Sequence, residues 1–177
     1  MFKRTHFSDV NRIIYFRGIE SLKDYYKVLH DKGFFDAPAS TKYHGNYKGG
    51  LFDHSANVAI ALKTMTDNLN LKWEREESPL IVGMLHDLCK VDQYKYEDDT
   101  YKWDDSPVIK GHGLKSAIYA QKLGIQLTDE EIACIVYHMG AFCPQDEWKD
   151  YNNAISRYPN VLFTHTADMI ASNIMEI

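Results

Sequence analysis

Six histidines and aspartates fall on apolar helical faces or beside glycines that begin helices. They are His54, His86, Asp87, His112, His138 and Asp168. First-row divalent metals prefer imidazole and carboxylate ligands, and helical bundles collect such ligands from facing helices. The pair His86-Asp87 lies in the apolar stretch GMLHDLCKVDQY, where burying two ionisable groups is unfavourable unless something compensates them. A bound metal would provide that compensation.

Each of these residues has a simpler interpretation when it is taken alone. A single histidine on an apolar face is usually a hydrogen-bonded core residue, and a single acid at a helix turn is usually a cap. The metal hypothesis therefore rests on the set, since five separate segments of the chain contribute to it.

Segments with helical period dominate the chain and predict a mostly α fold. The predicted helices are ESLKDYYKVLHDKG, LFDHSANVAIALKTMTDNL, SPLIVGMLHDLCK, GHGLKSAIYAQKLG, TDEEIACIVYHMG and VLFTHTADMIASNIM. Ser78 is expected to cap the third of these, and Thr128 with Glu131 forms a capping-box pattern. Residues 141–160 are expected to be a loop with at most a short helical piece.

A change of period near residues 92–103 predicts a small β-hairpin. Tyr94 and Tyr96, then Tyr101 and Trp103, alternate around an acidic turn. These rings are expected to serve mainly in packing, but a hairpin that overhangs the cleft would offer them to a nucleobase. The length of 177 residues predicts a single domain over residues 1–177.

Composition argues against several classes of protein. With 25 acidic and 20 basic residues, the chain lacks the charge on which binding of long nucleic acid depends. The three cysteines are an odd number without paired short spacing, so we expect neither a disulfide framework nor a cysteine zinc site, and a reducing cytoplasm fits best. No stretch has the length of a signal-peptide core or a membrane span.

The order of the six residues, with the sequences around them, resembles the HD-domain superfamily of metal-dependent phosphohydrolases. The segments APASTKYHGNYKGGLFDHS, MLHDLCK, GHGLKS, YHMG and TADMIAS are similar to small bacterial and phage HD hydrolases. They are also similar to the HD half of Gram-positive 3′-5′ exoribonucleases. The resemblance covers roughly residues 20–175 and implies an all-α HD-domain helical bundle, with the hairpin as an insertion.

The resemblance also implies a two-metal site. The first ion would be held by His54, His86, Asp87 and Asp168, and Asp87 would bridge to a second ion held by His112 and His138. Two such ions clamp a phosphate and activate a water between them, which gives Asp87 a catalytic role. Mn or Fe is favoured, with Co, Ni and Zn open. Some relatives carry a further histidine where this chain has Met139, so the second site is expected to be weaker.

Other residues are candidates for contact with the substrate. Lys90, one turn after Asp87, is a candidate catalytic cation for the phosphate. The candidate substrate-binding residues are Lys42, His44, Lys115 and Ser116. The last two would lie in the first turn of a helix, where anions are favoured. His6, His30 and His165 are expected to be structural or exposed, with His165 a candidate to orient Asp168.

The resemblance thus implies a phosphohydrolase that takes a small phosphorylated substrate, a nucleotide or a short oligonucleotide. One alternative is a 3′-5′ exonuclease on single-stranded nucleic acid, which needs a basic groove. Its candidate cations are Lys42, Lys48, Lys90, Lys110 and Lys115. Another alternative is a non-catalytic, nucleotide-binding regulatory HD module. The N-terminal segment could form a homodimer contact or a covering helix.

Overall fold

A computed structural model describes residues 7–175 and shows a mostly α-helical fold with one β-hairpin. The helices are α1 (Asp9–Arg17), α2 (Tyr26–Asp31), α3 (Gly50–Leu69), α4 (Ser78–Leu85), α5 (Gly113–Lys122), α6 (Asp129–Val136), α7 (Trp148–Arg157) and α8 (Asn160–Ile170). Short 3-10 segments lie at Lys23–Tyr25, Leu88–Asp92, Gly140–Phe142 and Gln145–Glu147, and a π turn at Ala171–Met175 follows α8. The predicted mostly α class is confirmed; His6 lies outside the described residues.

The hairpin consists of β1 (Tyr94–Glu97) and β2 (Thr100–Trp103). Asp98 and Asp99 form its two-residue turn. Both have positive φ (50° and 58°), as a type I′ hairpin turn requires. The predicted hairpin near residues 92–103 is therefore confirmed. No helix of residues 7–175 is both long enough and apolar enough to cross a bilayer.

Helix α3 lies at the centre of the core and packs closely against α4. Its first thirteen residues are almost entirely buried. The contact is close at Gly83, where an added Cβ would lie 2.3 Å from the Cα of Ala59. Glycine at this position therefore sets the distance between α3, which carries His54, and α4, which leads into His86.

A buried ion pair fixes the start of α3. Arg12 of α1 donates from Nε and Nη2 to the carboxylate of Asp53, at 2.9 and 3.1 Å, and Tyr47 donates its hydroxyl to the same carboxylate at 2.9 Å. These bonds tie α1 and the loop before α3 to the turn that contains His54. Helix α1 is thus a covering helix, and a homodimer contact stays a prediction.

Two predicted helices end earlier than expected. Helix α4 stops at Leu85, so His86 and Asp87 lie in a turn, and a 3-10 segment follows in which the Lys90 N–H donates to the carbonyl of Asp87. Helix α6 stops at Val136, before His138. The continuous apolar run that predicted a long α4 carries no signal for this end, because it is apolar on every side.

Of the two predicted helix N-terminal caps, one is confirmed and the other is wrong. Thr128 and Glu131 form the capping box, with bonds in both directions. Ser78 does not cap α4: it is the first helical residue, and its hydroxyl donates to Glu131 Oε1 at 2.7 Å. The hydroxyl bonds to Glu131 and not to the helix end, because a buried carboxylate without hydrogen-bond donors costs more free energy than an uncapped helix end.

Helix α7 is longer than the short helical piece expected within the loop over residues 141–160. It spans ten residues, Trp148–Arg157. Its half-buried face consists of Tyr151, Ala154 and Ile155. The last two follow Tyr151 by three and four positions, which places all three on one side of a helix. That pattern was present in the sequence, but one stripe of three residues among many polar ones is a weak signal.

The close contact at Gly83 yields a stability prediction. We expect Gly83→Ala to lower the free energy of unfolding by about 2–3 kcal/mol, because the new methyl overlaps the backbone of α3, although alanine ordinarily favours a helix. Gly33→Ala is the control: Gly33 has φ +83° but open space around it, so strain alone should cost about 1 kcal/mol. Urea denaturation measures both, and an equal loss for the two variants would refute the packing argument.

Candidate metal centre

The structure brings all six predicted ligands together. His54 lies on α3 and Asp168 on α8, whereas the others lie at helix ends: His86 and Asp87 after α4, His112 before α5, and His138 after α6. The side chains of His112 and Asp168 are 28% and 19% exposed, and the other four are buried. The cluster is thus reached by solvent at two of its members.

One half of the cluster centres on the Nε2 atom of His54. This atom lies 3.2 Å from Nε2 of His86, 3.3 Å from Oδ1 of Asp168 and 3.5 Å from Oδ2 of Asp87. Burial raises the pKa of Asp168, but the hydrogen bond and charge of His54 outweigh burial and lower it well below its usual range. The carboxylate therefore stays ionised, as a metal ligand must be.

The other half centres on Asp87, whose two oxygens face different groups. Oδ1 lies 2.6 Å from Nε2 of His112 and 3.7 Å from Nε2 of His138, and Oδ2 lies 2.6 Å from Nζ of Lys90. Burial raises the pKa of Asp87, yet the charge of Lys90, followed by those of His86 and His112, lowers it well below its usual range. Asp87 thus faces both halves of the cluster.

Backbone carbonyls set the orientation of two imidazoles. Nδ1 of His86 lies 2.8 Å from the carbonyl of Gly83, and Nδ1 of His138 lies 2.7 Å from the carbonyl of Ile135. Because a carbonyl only accepts, each Nδ1 carries a proton, and each ring turns its Nε2 toward the cluster.

His138 provides the test of whether these residues fit a metal. Its Nε2 is buried and has no hydrogen-bond partner among residues 7–175. Burial, with the nearby charge of His86, lowers the pKa of His138 to about 3, so the ring is neutral at physiological pH. A buried lone pair without a donor is unfavourable, and a divalent cation would satisfy it. The residues fit the metal that the sequence predicts.

Three groups of side chains in the described chain bring ligand atoms within 4.8 Å of one another. They are His54, His86 and Asp87; His86, His138 and Asp168; and Asp87, Cys89 and His112. The family resemblance places His138 with His112, whereas this geometry groups it with His86 and Asp168. The division of the six ligands between two ions stays a prediction.

Cys89 was not among the predicted site residues. Its Sγ lies 3.7 Å from Nδ1 of His112, on the side of the ring opposite Asp87. Reasoning from cysteine spacing missed it because it looks for pairs of cysteines, not for one thiol beside a histidine. The only signal was its position two residues after Asp87.

Lys115 and Ser116 lie beside the cluster but are engaged by the protein. Lys115 donates to Asp92 Oδ1 at 2.5 Å, while the Ser116 hydroxyl accepts from the Cys89 N–H at 3.0 Å and donates to the His112 carbonyl at 3.2 Å. Both side chains are buried. These bonds hold the segment that carries His112, and a contact with substrate phosphate stays a prediction.

Three further candidates are His44, which lies beside the cluster, Lys42, which lies at the surface, and His165, which contacts the backbone of His138. The ring centroid of His44 is 4.7 Å from that of His54, whereas Lys42 is exposed. Nδ1 of His165 lies 2.9 Å from the carbonyl of His138. His165 therefore supports the turn after His138 and does not orient Asp168 through this nitrogen.

Two cavities contain residues of the cluster or its partners. One, of about 780 Å³, lies between residues 33–48 and the hairpin and is lined by Lys90, the partner of Asp87, but by none of the six ligands. Another, of about 480 Å³, is lined by His112, Leu114 and Phe142. His112 therefore connects the second cavity to the cluster, and Lys90 connects the first cavity to Asp87.

Comparisons of the chain with protein-family models, with curated proteins and with solved structures find no match. The resemblance to the HD-domain superfamily therefore stays a prediction, and the candidate site rests on its own geometry.

The orphaned nitrogen of His138 leads to a test of metal binding. We expect the purified protein to bind Mn²⁺ and to gain thermal stability from it, because a ligand that binds the folded state stabilises it by mass action. His138→Ala should weaken Mn²⁺ binding at least tenfold, since it removes a ligand. Metal analysis after dialysis and the Mn²⁺-induced shift in Tm measure this.

His30→Ala is the matched control, because His30 is about half exposed and lies outside the cluster. It should behave as the wild type. Full metal content and an unchanged Tm shift in His138→Ala would show that the cluster is not the metal site.

Proposed function

We propose that this protein is a metal-dependent phosphohydrolase that acts on a nucleotide or a short oligonucleotide. The observation that carries the proposal is the convergence of four imidazoles and two carboxylates, with the buried Nε2 of His138 left unpartnered in the described chain. Nitrogen and oxygen ligands in this mixture suit Mn, Fe, Co, Ni or Zn, with Mn or Fe favoured on availability. Asp87 faces both halves of the cluster, which supports two ions.

The residues around the cluster have separate tasks in this proposal. A divalent ion held there supplies a Lewis acid for a phosphoryl oxygen and lowers the pKa of a water. His86 and His138 are held in the ligating tautomer by backbone carbonyls. Lys90 keeps Asp87 ionised and also lines the 780 Å³ cavity, where its charge favours a phosphate.

The exonuclease alternative has less support from the charges. Apart from Lys90 beside the cluster, three of its four candidate cations are paired with aspartates: Lys48 with Asp36, Lys110 with Asp105 and Lys115 with Asp92. Paired lysines release fewer counterions and attract a strand less. The regulatory alternative is weakened because all six ligands are retained in one cluster.

The compartment and the assembly belong to this proposal as well. We place the enzyme in the cytoplasm, since all three cysteines are free thiols. A homodimer through α1 stays open, because Val10 and Ile14 are exposed on that helix.

A screen against many substrates tests the activity. Mn²⁺-loaded protein is incubated with pooled nucleotides, cyclic nucleotides and short oligonucleotides, and mass spectrometry identifies the products. We expect products with the intact protein and none with Asp87→Ala, because Asp87 faces both halves of the cluster. Circular dichroism verifies that the variant is folded. A panel that survives intact although the protein carries Mn²⁺ would overturn the nucleotide assignment.

A lysine of α3 allows a matched test of Lys90. Lys90→Met should lower kcat/KM at least tenfold, because it removes a positive charge between Asp87 and the cavity. Lys63→Met removes a lysine that is also paired with an aspartate, Asp67, but lies outside the cluster and the cavity lining, so it should change kcat/KM less than threefold. Steady-state kinetics on the substrate found in the screen measure both. Equal losses would deny Lys90 a special role.

A further inference from the structure

The cavity beside Lys90 has aromatic walls and the size of a ligand site. Its volume of about 780 Å³ falls within the range of roughly 300–1,000 Å³ that is typical of small-molecule sites, far more than a phosphate needs. Four tyrosines line it: Tyr47 from the loop before α3, and Tyr94, Tyr96 and Tyr101 from the hairpin. Lys90 also lines the cavity, and its Nζ lies 2.6 Å from Oδ2 of Asp87.

The charges in this hairpin cavity are largely balanced. Lys48 lies 3.3 Å from Asp36, both in the lining, and Lys90 is paired with Asp87. Asp99, at the turn of the hairpin, adds a carboxylate. A further negatively charged group would therefore gain little electrostatic energy in this cavity. The uncharged part of a phosphate ester fits the lining better.

The hairpin presents its rings on one face. Tyr96 and Tyr101 are cross-strand partners with ring centroids 5.0 Å apart, in an edge-to-face arrangement. Tyr96 is 63% exposed, so its ring has apolar surface left to cover. Tyr47, from the loop before α3, is held in place by the hydrogen bond that its hydroxyl donates to Asp53. A flat heterocycle is the group that such rings bind best.

We propose that the hairpin cavity binds the base and sugar of a nucleotide whose phosphate points toward Lys90 and Asp87. The inference deepens the proposed function, on which it rests for the phosphate end. It makes the hairpin the element that selects a nucleotide over a sugar phosphate, with Tyr101 as a specificity-determining residue.

Binding of non-hydrolysable analogues tests the cavity without turnover. Isothermal calorimetry on Mn²⁺-loaded protein compares the phosphonate analogues of adenosine and cytidine 5′-monophosphate with the phosphonate analogue of ribose 5-phosphate. We expect the nucleoside analogues to bind at least tenfold more tightly, because stacking of a base on aromatic rings contributes roughly ten- to hundredfold.

Three variants of the hairpin test whether the preference for nucleoside analogues depends on the ring of Tyr101. Tyr101→Leu should lower this preference at least threefold, because leucine keeps an apolar side chain but removes one of the rings, whereas Tyr101→Phe should keep it. Lys102→Ala is the control for the hairpin itself: Lys102 lies next to Tyr101 on the opposite face and outside the cavity lining. It should bind as the wild type does. Equal binding of base-containing and base-free analogues, or equal behaviour of the leucine and phenylalanine variants, would overturn the proposal.

Turnover measured in parallel separates this inference from the proposed function. Hydrolysis of ribose 5-phosphate and nucleotides alike, unaffected by Tyr101→Leu, would leave the phosphohydrolase standing and remove the base site. Ring-dependent binding without turnover of any panel member would leave the base site and remove the phosphohydrolase.

Discussion

The buried carboxylate of Asp87 is the charge around which the site is built. It is 2% exposed, so its ionised form is tolerable only with compensating partners. Lys90 and His112 supply them, each 2.6 Å from one of its oxygens. Burial lowers the pKa of His112, but the charge of Asp87 outweighs burial and raises it to about 10. His138, 3.7 Å from the same oxygen, has its pKa lowered to about 3 because burial prevails there. Asp87 therefore favours the charged form of the nearer imidazole, and a metal held by His112 would replace the second proton of that ring as the compensating charge.

The scaffold fixes the starts of α4 and α6, and the opposite ends of these two helices carry ligands. The buried carboxylate of Glu131 accepts from Ser78 and from Arg75, which ties the start of α4 to the start of α6. The opposite ends of these two helices lead directly into His86 and His138. Where a helix ends, its last carbonyls lack helical partners, and those of Gly83 and Ile135 accept from the two imidazoles. The carbonyls that the helix ends leave without helical partners therefore orient the two ligands.

Residue types and periodicity predicted the ligand set, the mostly α class and the hairpin, because each has a signal within a few residues along the chain. The turn at His86 had none, since the surrounding stretch is apolar on every face. The Arg12–Asp53 pair joins residues 41 positions apart and depends on how α1 folds back, which no local pattern records. Cys89 enters the site only through the tight 3-10 turn, and that turn was itself unpredicted. What sequence reasoning missed therefore depends on tertiary contacts or on exact helix ends.

Anomalous diffraction at the manganese edge, from crystals grown with Mn²⁺, is the most direct test of the central claim. That claim is that the side chains around Asp87 form a divalent-metal site. The account predicts an anomalous peak within coordination distance of His86 and Asp87, with His138 Nε2 among the ligands. Crystals with Mn²⁺ bound elsewhere, and with no peak between these residues, would contradict it and would leave the cluster as a buried ion-pair network.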